Sequence, residues 1–314
     1  MKTDKIKNIF LEQKILLVIV AIGIFLSFRS GYFLTFQNIT NIFLAISFEG
    51  MIAIGMALLI ILGEIDLSVG SIMAIGAVLS ILFQPYGVFT GIVAGIIGGI
   101  FFGFVNGFLV TKLKLPSIAA TLGTMVFLKG IVFALTKAHT ITGTNENFIR
   151  ISQTEVFHIP IPVILFIFLV LIFEFILKRS FFGRNIYSVG GNATASKFFG
   201  IKVDRTRILC FAITGFLSGL AGVMLAGKLN IASGNIGQYS NVFVITAVLL
   251  GGISMEGGEG NILMALQGIL LLGIMNNAMV ILKISPFVQE IIRGLLLILI
   301  IIIDSINIQK KKYL

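Results

Sequence analysis

The sequence has 314 residues, of which 57% are hydrophobic and only 11% are charged. A water-soluble domain carries about 25% charged residues, so this composition excludes a soluble globular fold and makes lipid the outer solvent. The formal net charge of +10 does not indicate nucleic-acid binding, because the Lys and Arg residues lie between apolar runs and form no continuous basic face.

Ten apolar segments approach the length that a membrane-spanning helix needs, about 20 residues for about 30 Å of hydrocarbon. Helices satisfy their own backbone hydrogen bonds in lipid. We therefore predict an all-α, polytopic membrane protein with a single transmembrane domain, residues 1–314. The third and eighth segments are short. The predicted spans are residues 14–34, 42–62, 70–84, 88–111, 115–136, 160–177, 208–227, 241–252, 261–282 and 287–304.

The first span follows a basic, polar stretch and imitates a secretory signal. No small-residue cleavage site follows residues 15–28, so we expect an uncleaved span, with a removed signal as the alternative. An even number of spans with both termini in the cytoplasm places most of the 23 Lys and Arg residues inside, in agreement with the positive-inside rule. The largest basic loop, residues 178–207, is then cytoplasmic, beside anionic lipid.

Two glycine-punctuated segments interrupt the apolar pattern. Residues 63–71 read GEIDLSVGS and residues 251–260 read GGISMEGGEG, and each adjoins a short span on the predicted cytoplasmic side. Short or broken helices in matching positions are the best sequence indication of a transport site. The alternative is an ordinary tight turn.

Five glycines recur every four residues through the fourth span. Helices in lipid associate through close backbone packing, which glycine permits. We expect this face to be buried against another helix, either within one subunit or at a subunit interface, and to tolerate Ala better than bulky residues. The glycines are Gly91, Gly95, Gly99, Gly103 and Gly107.

Ionisable residues at membrane depth are expensive and are usually paired or functional. Glu49 and Lys129 lie deep enough to face a polar cavity or each other. Three others lie near predicted span ends, where their side chains extend toward water, and are discounted: Glu174, Glu290 and Arg293.

Nothing in the sequence completes a catalytic or metal site. Cys210 is the single cysteine, and the two histidines are separated by a long polar loop, which is not a metal-ligand pattern. The carboxylates Glu64 and Asp66 have no nearby His, and neither HExxH nor GxSxG is present. We predict no catalytic residue, no metal and no cofactor in this chain.

Residues 63–71 resemble the G-x-I-D-L-S-V-G-S signature of bacterial ribose- and xylose-type ABC importer permeases. Further motifs follow in the order of that family, so that the resemblance covers nearly the whole chain. Glu64 stands where many members have Gly, which leaves the substrate open. The further motifs are residues 120–125, 190–201, 250–258 and 273–277.

The resemblance implies a non-enzymatic permease subunit that moves a ribose-, xylose- or galactoside-like sugar across the bacterial cytoplasmic membrane. It also implies three partners: a second permease, identical or different, a cytoplasmic ABC ATPase that uses ATP and magnesium, and an extracytoplasmic sugar-binding protein. Polar residues are expected to line the path or its gates. The residues are Asp66, Ser68, Ser71, Thr121, Thr124, Asn276 and Asn277.

The loop of residues 178–207 would then be the coupling segment that docks on the ATPase. Asn192 is expected to cap a short helix whose phenylalanines form an apolar surface and which ends at Gly200. The alternative is that these phenylalanines pack on the chain's own spans or in the lipid interface. The expected coupling residues are Gly191, Asn192, Ala195, Phe198, Phe199 and Gly200.

Other functions remain open from the sequence. The cargo of such a permease is alternatively a nucleoside or autoinducer-2. An ion-coupled secondary carrier would use Glu49, Asp66 and Lys129 as a relay and would transport without ATP. A membrane enzyme would show turnover by the chain alone.

Overall fold

The computed structural model describes residues 14–312, with side chains from 15 to 306. Within this range the fold is all-α apart from four two-residue strands, as the sequence predicts. The helices are α1 (Lys14–Arg29), α2 (Phe36–Ile61), α3 (Val69–Phe83), α4 (Val88–Lys112), α5 (Ser117–Thr136), α6 (Glu146–Gln153), α7 (Ile161–Arg179), α8 (Phe181–Gly191), α9 (Ala193–Phe198), α10 (Val203–Leu229), α11 (Ser240–Leu250), α12 (Ile262–Ile281) and α13 (Pro286–Lys312).

Eight of the described helices are long and apolar enough to cross a membrane, namely α2, α3 with the 3₁₀ turn Gln84–Tyr86, α4, α5, α7, α10, α12 and α13. Helices α1 and α11 are apolar but shorter. These ten helices overlap the ten predicted spans. With 11 residues, α11 covers about 16 Å, half of the hydrocarbon thickness, and is a half-helix.

Helix α2 occupies the centre of the bundle. From Met51 to Ile61 its side chains are buried on every face, which is the expected position for a helix that is hydrophobic all round. Helices α7, α10, α11 and α12 pack around it. The polar residue Thr35 fixes where α2 begins, because its side chain accepts a hydrogen bond from Asn38 N at 3.3 Å.

Helices α4 and α10 approach each other through glycine. A Cβ atom on Gly99 would overlap the carbonyl oxygen of Gly215, and a Cβ atom on Gly215 would overlap that of Gly99. Two other glycines of this α4 face, Gly103 and Gly107, also pack against α10. Gly91 and Gly95 contact the backbone of α3. The glycine face of the fourth span therefore lies against two helices of the same chain.

One end of the bundle carries the described strands. Strand β1 (Ile141–Thr142) pairs antiparallel with β4 (Ile231–Ala232), Ile141 opposite Ala232. A hairpin pairs β2 (Glu155–Val156) with β3 (Ile159–Pro160). Asn145 Nδ2 donates to Gln84 O at 3.2 Å, so the loops after α3, α5 and α10 meet at this end, called here the strand end.

The opposite end, called here the loop end, brings together three segments that are distant in sequence. Gly258 N donates to Ile61 O at 2.7 Å, and a Cβ atom on Gly190 would overlap that same oxygen. Tyr187 Oη donates to Gly260 O at 2.6 Å. The loop after α2, the glycine segment after α11 and helix α8 are therefore neighbours, as their predicted location on one membrane side requires.

That the loop end faces the cytoplasm stays a prediction. The predicted cytoplasmic termini include residues 1–13 and 313–314, which lie outside the described residues.

Candidate functional site

The buried carboxylate of Asp66 is the centre of a polar cluster between α2 and α3. Asp66 Oδ1 accepts hydrogen bonds from Ser68 N at 2.8 Å and Ser68 Oγ at 2.6 Å, and Oδ2 accepts one from Asn106 Nδ2 at 3.1 Å. Asn106 Nδ2 also donates to Ser68 Oγ at 2.8 Å. All three residues are fully buried. We call Asp66, Ser68 and Asn106 the aspartate cluster.

The IDLS sequence produces this geometry locally. An Asp side chain accepts readily from the backbone two residues on, which makes an Asx turn, and α3 begins directly after it. Burial raises the pKa of the Asp66 carboxyl, while the hydrogen bonds from Ser68 and Asn106 act to lower it. Leu67 N donates to Thr121 Oγ1 at 3.0 Å, so the turn is also fixed to α5. Sequence analysis missed Asn106, the only amide inside the glycine-rich α4.

Helices α3 and α11 meet near their first turns. A Cβ atom on Gly70, in the first turn of α3, would overlap the carbonyl oxygen of Gly237, just before α11. Gly237 has a φ of +70°, a conformation that glycine adopts without strain. Two helix starts inside the bundle match the broken-helix pattern of transport sites. The break before α11, residues 233–239, was not predicted from the sequence.

A cavity of about 510 Å³ lies beside this meeting point. Ser240 Oγ, at the start of α11, donates to Glu49 Oε1 at 2.8 Å. Across the cavity, Arg293 Nε donates to Asn276 Oδ1 at 3.2 Å. Asn41 is another polar residue in the wall of the cavity. We call this space the Glu49 cavity.

Arg293 is placed differently from the sequence-based expectation. Its position near a span end suggested a side chain reaching water, yet the half-buried guanidinium lines the Glu49 cavity and bonds Asn276. Periodicity does not reveal this, because the partner lies on another helix. Glu174, also discounted, accepts from Ile262 N at 2.9 Å and pairs with Lys178 at 2.6 Å.

A smaller cavity of about 130 Å³ lies on the other side of residues 237–238 and contains Ser71 and Lys129. Ser71 Oγ donates to Met125 O at 3.0 Å. Glu49 and Lys129 thus line separate cavities, and no ion pair joins them in the part of the chain that the structure describes. The three members of the alternative ion relay, Glu49, Lys129 and Asp66, lie in three separate places.

The remaining predicted path residues have other surroundings. Asn277 and Asn38 exchange hydrogen bonds of 2.8 and 3.1 Å, which joins α12 to α2 at the wall of the Glu49 cavity. Thr124 Oγ1 donates to Ala120 O, one turn earlier in its own helix. The seven predicted path residues therefore divide among the aspartate cluster, the two cavities and α5.

The loop of residues 178–207 folds into α8 and α9. Asn192 Oδ1 accepts from Ala195 N at 2.8 Å and caps α9, and Gly200, with a φ of +80°, follows it, as expected. Phe198 and Phe199 are 87% and 86% exposed, so within the chain they are not covered by its own spans. Gly191 has no heavy atom close to where a Cβ atom would lie.

Comparison with known proteins gives the family. A family model described as the permease component of branched-chain amino acid transport systems matches residues 38–301. The chain belongs to this family. As a transport permease it is not an enzyme, in agreement with the sequence analysis.

Curated relatives match the permease over most of its length. The L-arabinose transport system permease protein of Escherichia coli K12 is 36% identical over 89% of this chain and 86% of its own. The ribose import permease protein of Bacillus subtilis 168 is 37% identical over 94% and 91%. The D-allose transport system permease protein of E. coli K12 is 34% identical over 93% and 90%. The resemblance to sugar importer permeases is confirmed. No solved structure matches the permease significantly.

Proposed function

We propose that this permease is the membrane subunit of an ATP-driven sugar importer in a bacterial cytoplasmic membrane. The observation that carries the proposal is the similarity, over about nine tenths of the chain, to permeases named for L-arabinose, ribose and D-allose transport. Such a subunit forms a path with a second permease, identical or different. An extracytoplasmic binding protein delivers the sugar, and a cytoplasmic ATPase supplies energy from ATP and magnesium.

The contact with the ATPase is assigned to the loop of residues 178–207 within the single domain of residues 1–314. Two adjacent phenylalanines, Phe198 and Phe199, are almost fully exposed on a capped helix at the loop end. Large apolar side chains exposed together mark interaction surfaces. A groove on the ATPase would cover them and would couple nucleotide binding to movement of α8 and α10.

The path is assigned to the meeting point of α3 and α11. The starts of α3 and α11 and the Glu49 cavity hold polar groups inside an otherwise apolar bundle, where such groups are expensive unless they have a function. Both oxygens of the Asp66 carboxylate accept hydrogen bonds, from Ser68 and from Asn106, so the proposed role of the aspartate cluster is to hold the start of α3 in place. Both termini and the loop end face the cytoplasm in this proposal.

The test is reconstitution of the permease with its ATPase and binding protein in liposomes, with radiolabelled L-arabinose, D-ribose and D-allose as cargo. Uptake of at least one sugar that requires ATP, the ATPase and the binding protein is expected. Uptake by the permease alone, driven by an ion gradient, would instead establish a secondary carrier. Uptake of a nucleoside or autoinducer-2, with none of the three sugars, would change the cargo class.

A further inference from the structure

The Glu49 cavity contains a carboxylate oxygen that the protein itself does not satisfy. Glu49 Oε1 accepts from Ser240, whereas Glu49 Oε2 is buried and has no hydrogen-bond partner among the described residues. A buried acceptor without a donor lowers stability, and ionised groups at this depth are usually functional. The arrangement provides an acceptor for a ligand that carries hydrogen-bond donors.

The cavity has the size and position that a small solute requires. Its volume of about 510 Å³ lies within the range of about 300–1,000 Å³ that small-molecule sites have. Asn41 and Glu49 both line it, and along α2 they are separated by about 12 Å at 1.5 Å per residue. The cavity therefore extends from near the strand end toward the middle of the bundle. In the proposed orientation it opens on the side where a binding protein delivers sugar.

The charges in the cavity favour a neutral polar ligand over a cation. Arg293 lines the same space as Glu49, so one positive and one negative side chain cancel. The N-terminus of α11, which is the positive end of its helix dipole, also lies beside the Glu49 carboxylate. This positive charge further weakens the attraction of the cavity for a cation. Carboxylate and amide oxygens accept hydrogen bonds from ligand hydroxyls, and a guanidinium group donates hydrogen bonds to hydroxyl oxygens. Tyr239, which also lines the cavity, supplies an apolar face.

We propose that the Glu49 cavity is a polyol-binding subsite within the permease, in which Glu49 Oε2 accepts hydrogen bonds from sugar hydroxyls and Asn41 and Asn276 hold others. The proposal rests on the proposed function and deepens it, because it gives the permease its own contact with cargo in addition to that of the binding protein. Ser240 is a positioning residue that orients the carboxylate.

The first experiment compares Glu49→Gln with the unchanged permease in the reconstituted complex, using whichever of the three sugars the unchanged complex imports. The amide keeps the shape and can still accept from Ser240, but it removes the charge and one acceptor. We expect the maximal uptake rate to fall at least tenfold. The abundance of the permease, the docking of the binding protein and the basal ATPase activity should equal those of the unchanged complex. Glu155→Gln, in the exposed β2–β3 hairpin, is the matched control and should transport normally.

The second experiment does not depend on altering Glu49. Val280→Cys places a thiol at the exposed edge of the cavity, and the native Cys210 is buried. Saturating amounts of the same sugar, without binding protein, should slow maleimide labelling of this position at least threefold. Labelling of Phe157→Cys, exposed in the hairpin at the strand end, should not change.

The outcomes separate the two proposals. Normal uptake by Glu49→Gln, or labelling of Val280→Cys that sugar does not slow in a complex that imports it, would overturn the subsite and leave the proposed function intact. Failure of the unchanged complex to import any of the three sugars would overturn the proposed function and the subsite with it.

Discussion

Glu64 Oε1 and Arg207 Nε lie 3.1 Å apart and join the loop after α2 to the beginning of α10. The Glu64 side chain is largely buried, and that of Arg207 is partly so. This ion pair links the proposed coupling segment, which ends at Arg207, to the segment that contains the aspartate cluster. Glu64 occupies the variable position of the signature that residues 63–71 resemble, and the structure gives it a partner in Arg207.

Glu64→Gln should weaken transport because it breaks this link. Removal of one partner costs about 3–5 kcal/mol for a fully buried pair and about 0.2–1 kcal/mol for an exposed one, so we expect a loss of stability between these limits. The complex with Glu64→Gln should hydrolyse more ATP for each sugar imported than the unchanged complex does. The measurement is the ratio of the two rates in proteoliposomes. Arg207→Glu with Glu64→Arg should recover part of the coupling, and an unchanged ratio in Glu64→Gln would contradict the role.

Asp66→Asn should destabilise the permease although it changes only one atom of the side chain. Two oxygens of Asp66 accept from Ser68 and Asn106, and an amide replaces one acceptor by a donor. An unsatisfied buried group costs about 1–3 kcal/mol. Thermal melting in detergent should show this loss, while Asp204→Asn, in an exposed pair with Lys112, should melt normally. Normal melting and full uptake by Asp66→Asn would show that neither stability nor transport requires the charge of Asp66.

Gly99→Ala should already impair folding, and Gly99→Leu should impair it more. The sequence-based expectation is that this face tolerates Ala better than bulky residues, and the structure adds that even Ala is too large, since an added Cβ atom would lie 2.8 Å from Gly219 Cα and overlap Gly215 O. Overpacking of this kind costs about 1–3 kcal/mol. Gly98→Ala is the matched control, because its Cβ atom would meet only the flexible end of Leu79. Membrane abundance and melting temperature are the measurements, and equal values for both Ala variants would contradict close α4–α10 packing.

Phe198→Ala combined with Phe199→Ala should leave insertion and abundance unchanged yet weaken association with the ATPase. Both side chains are exposed, so their loss removes little packing within the permease. Co-purification of the tagged permease with its ATPase measures the effect, and at least a tenfold loss is expected. Phe157→Ala, equally exposed in the hairpin at the strand end, is the control. Full association and uptake by the double variant would exclude this loop as the contact.

The loop end should be cytoplasmic and the strand end extracytoplasmic. An impermeant maleimide applied to intact cells should label Phe157→Cys and should leave Phe198→Cys unlabelled, because Cys210 is buried and gives little background. After permeabilisation both should react. Cysteines at Lys5 and Lys311, whose side chains lie outside the described residues, should behave like Phe198→Cys. Labelling of either terminus in intact cells would contradict the ten-span arrangement.

The sequence by itself determined the lipid environment, the ten apolar helices, the short α11 and the capped helix that ends at Phe198, beside Phe199. These features follow from composition, from periodicity and from side chains that bond their own nearby backbone, as Asn192 and Asp66 do. All of them depend on contacts within a few residues, which a sequence displays directly.

Only the tertiary structure decided which polar groups meet. The contacts of Asp66 with Asn106, of Glu49 with Ser240 and of Glu64 with Arg207 join helices that are far apart in the chain. In a bundle with apolar residues on most helix faces, periodicity does not specify which face meets which neighbour. Helix packing sets these pairings, through the close approach that Gly99 and Gly215 permit.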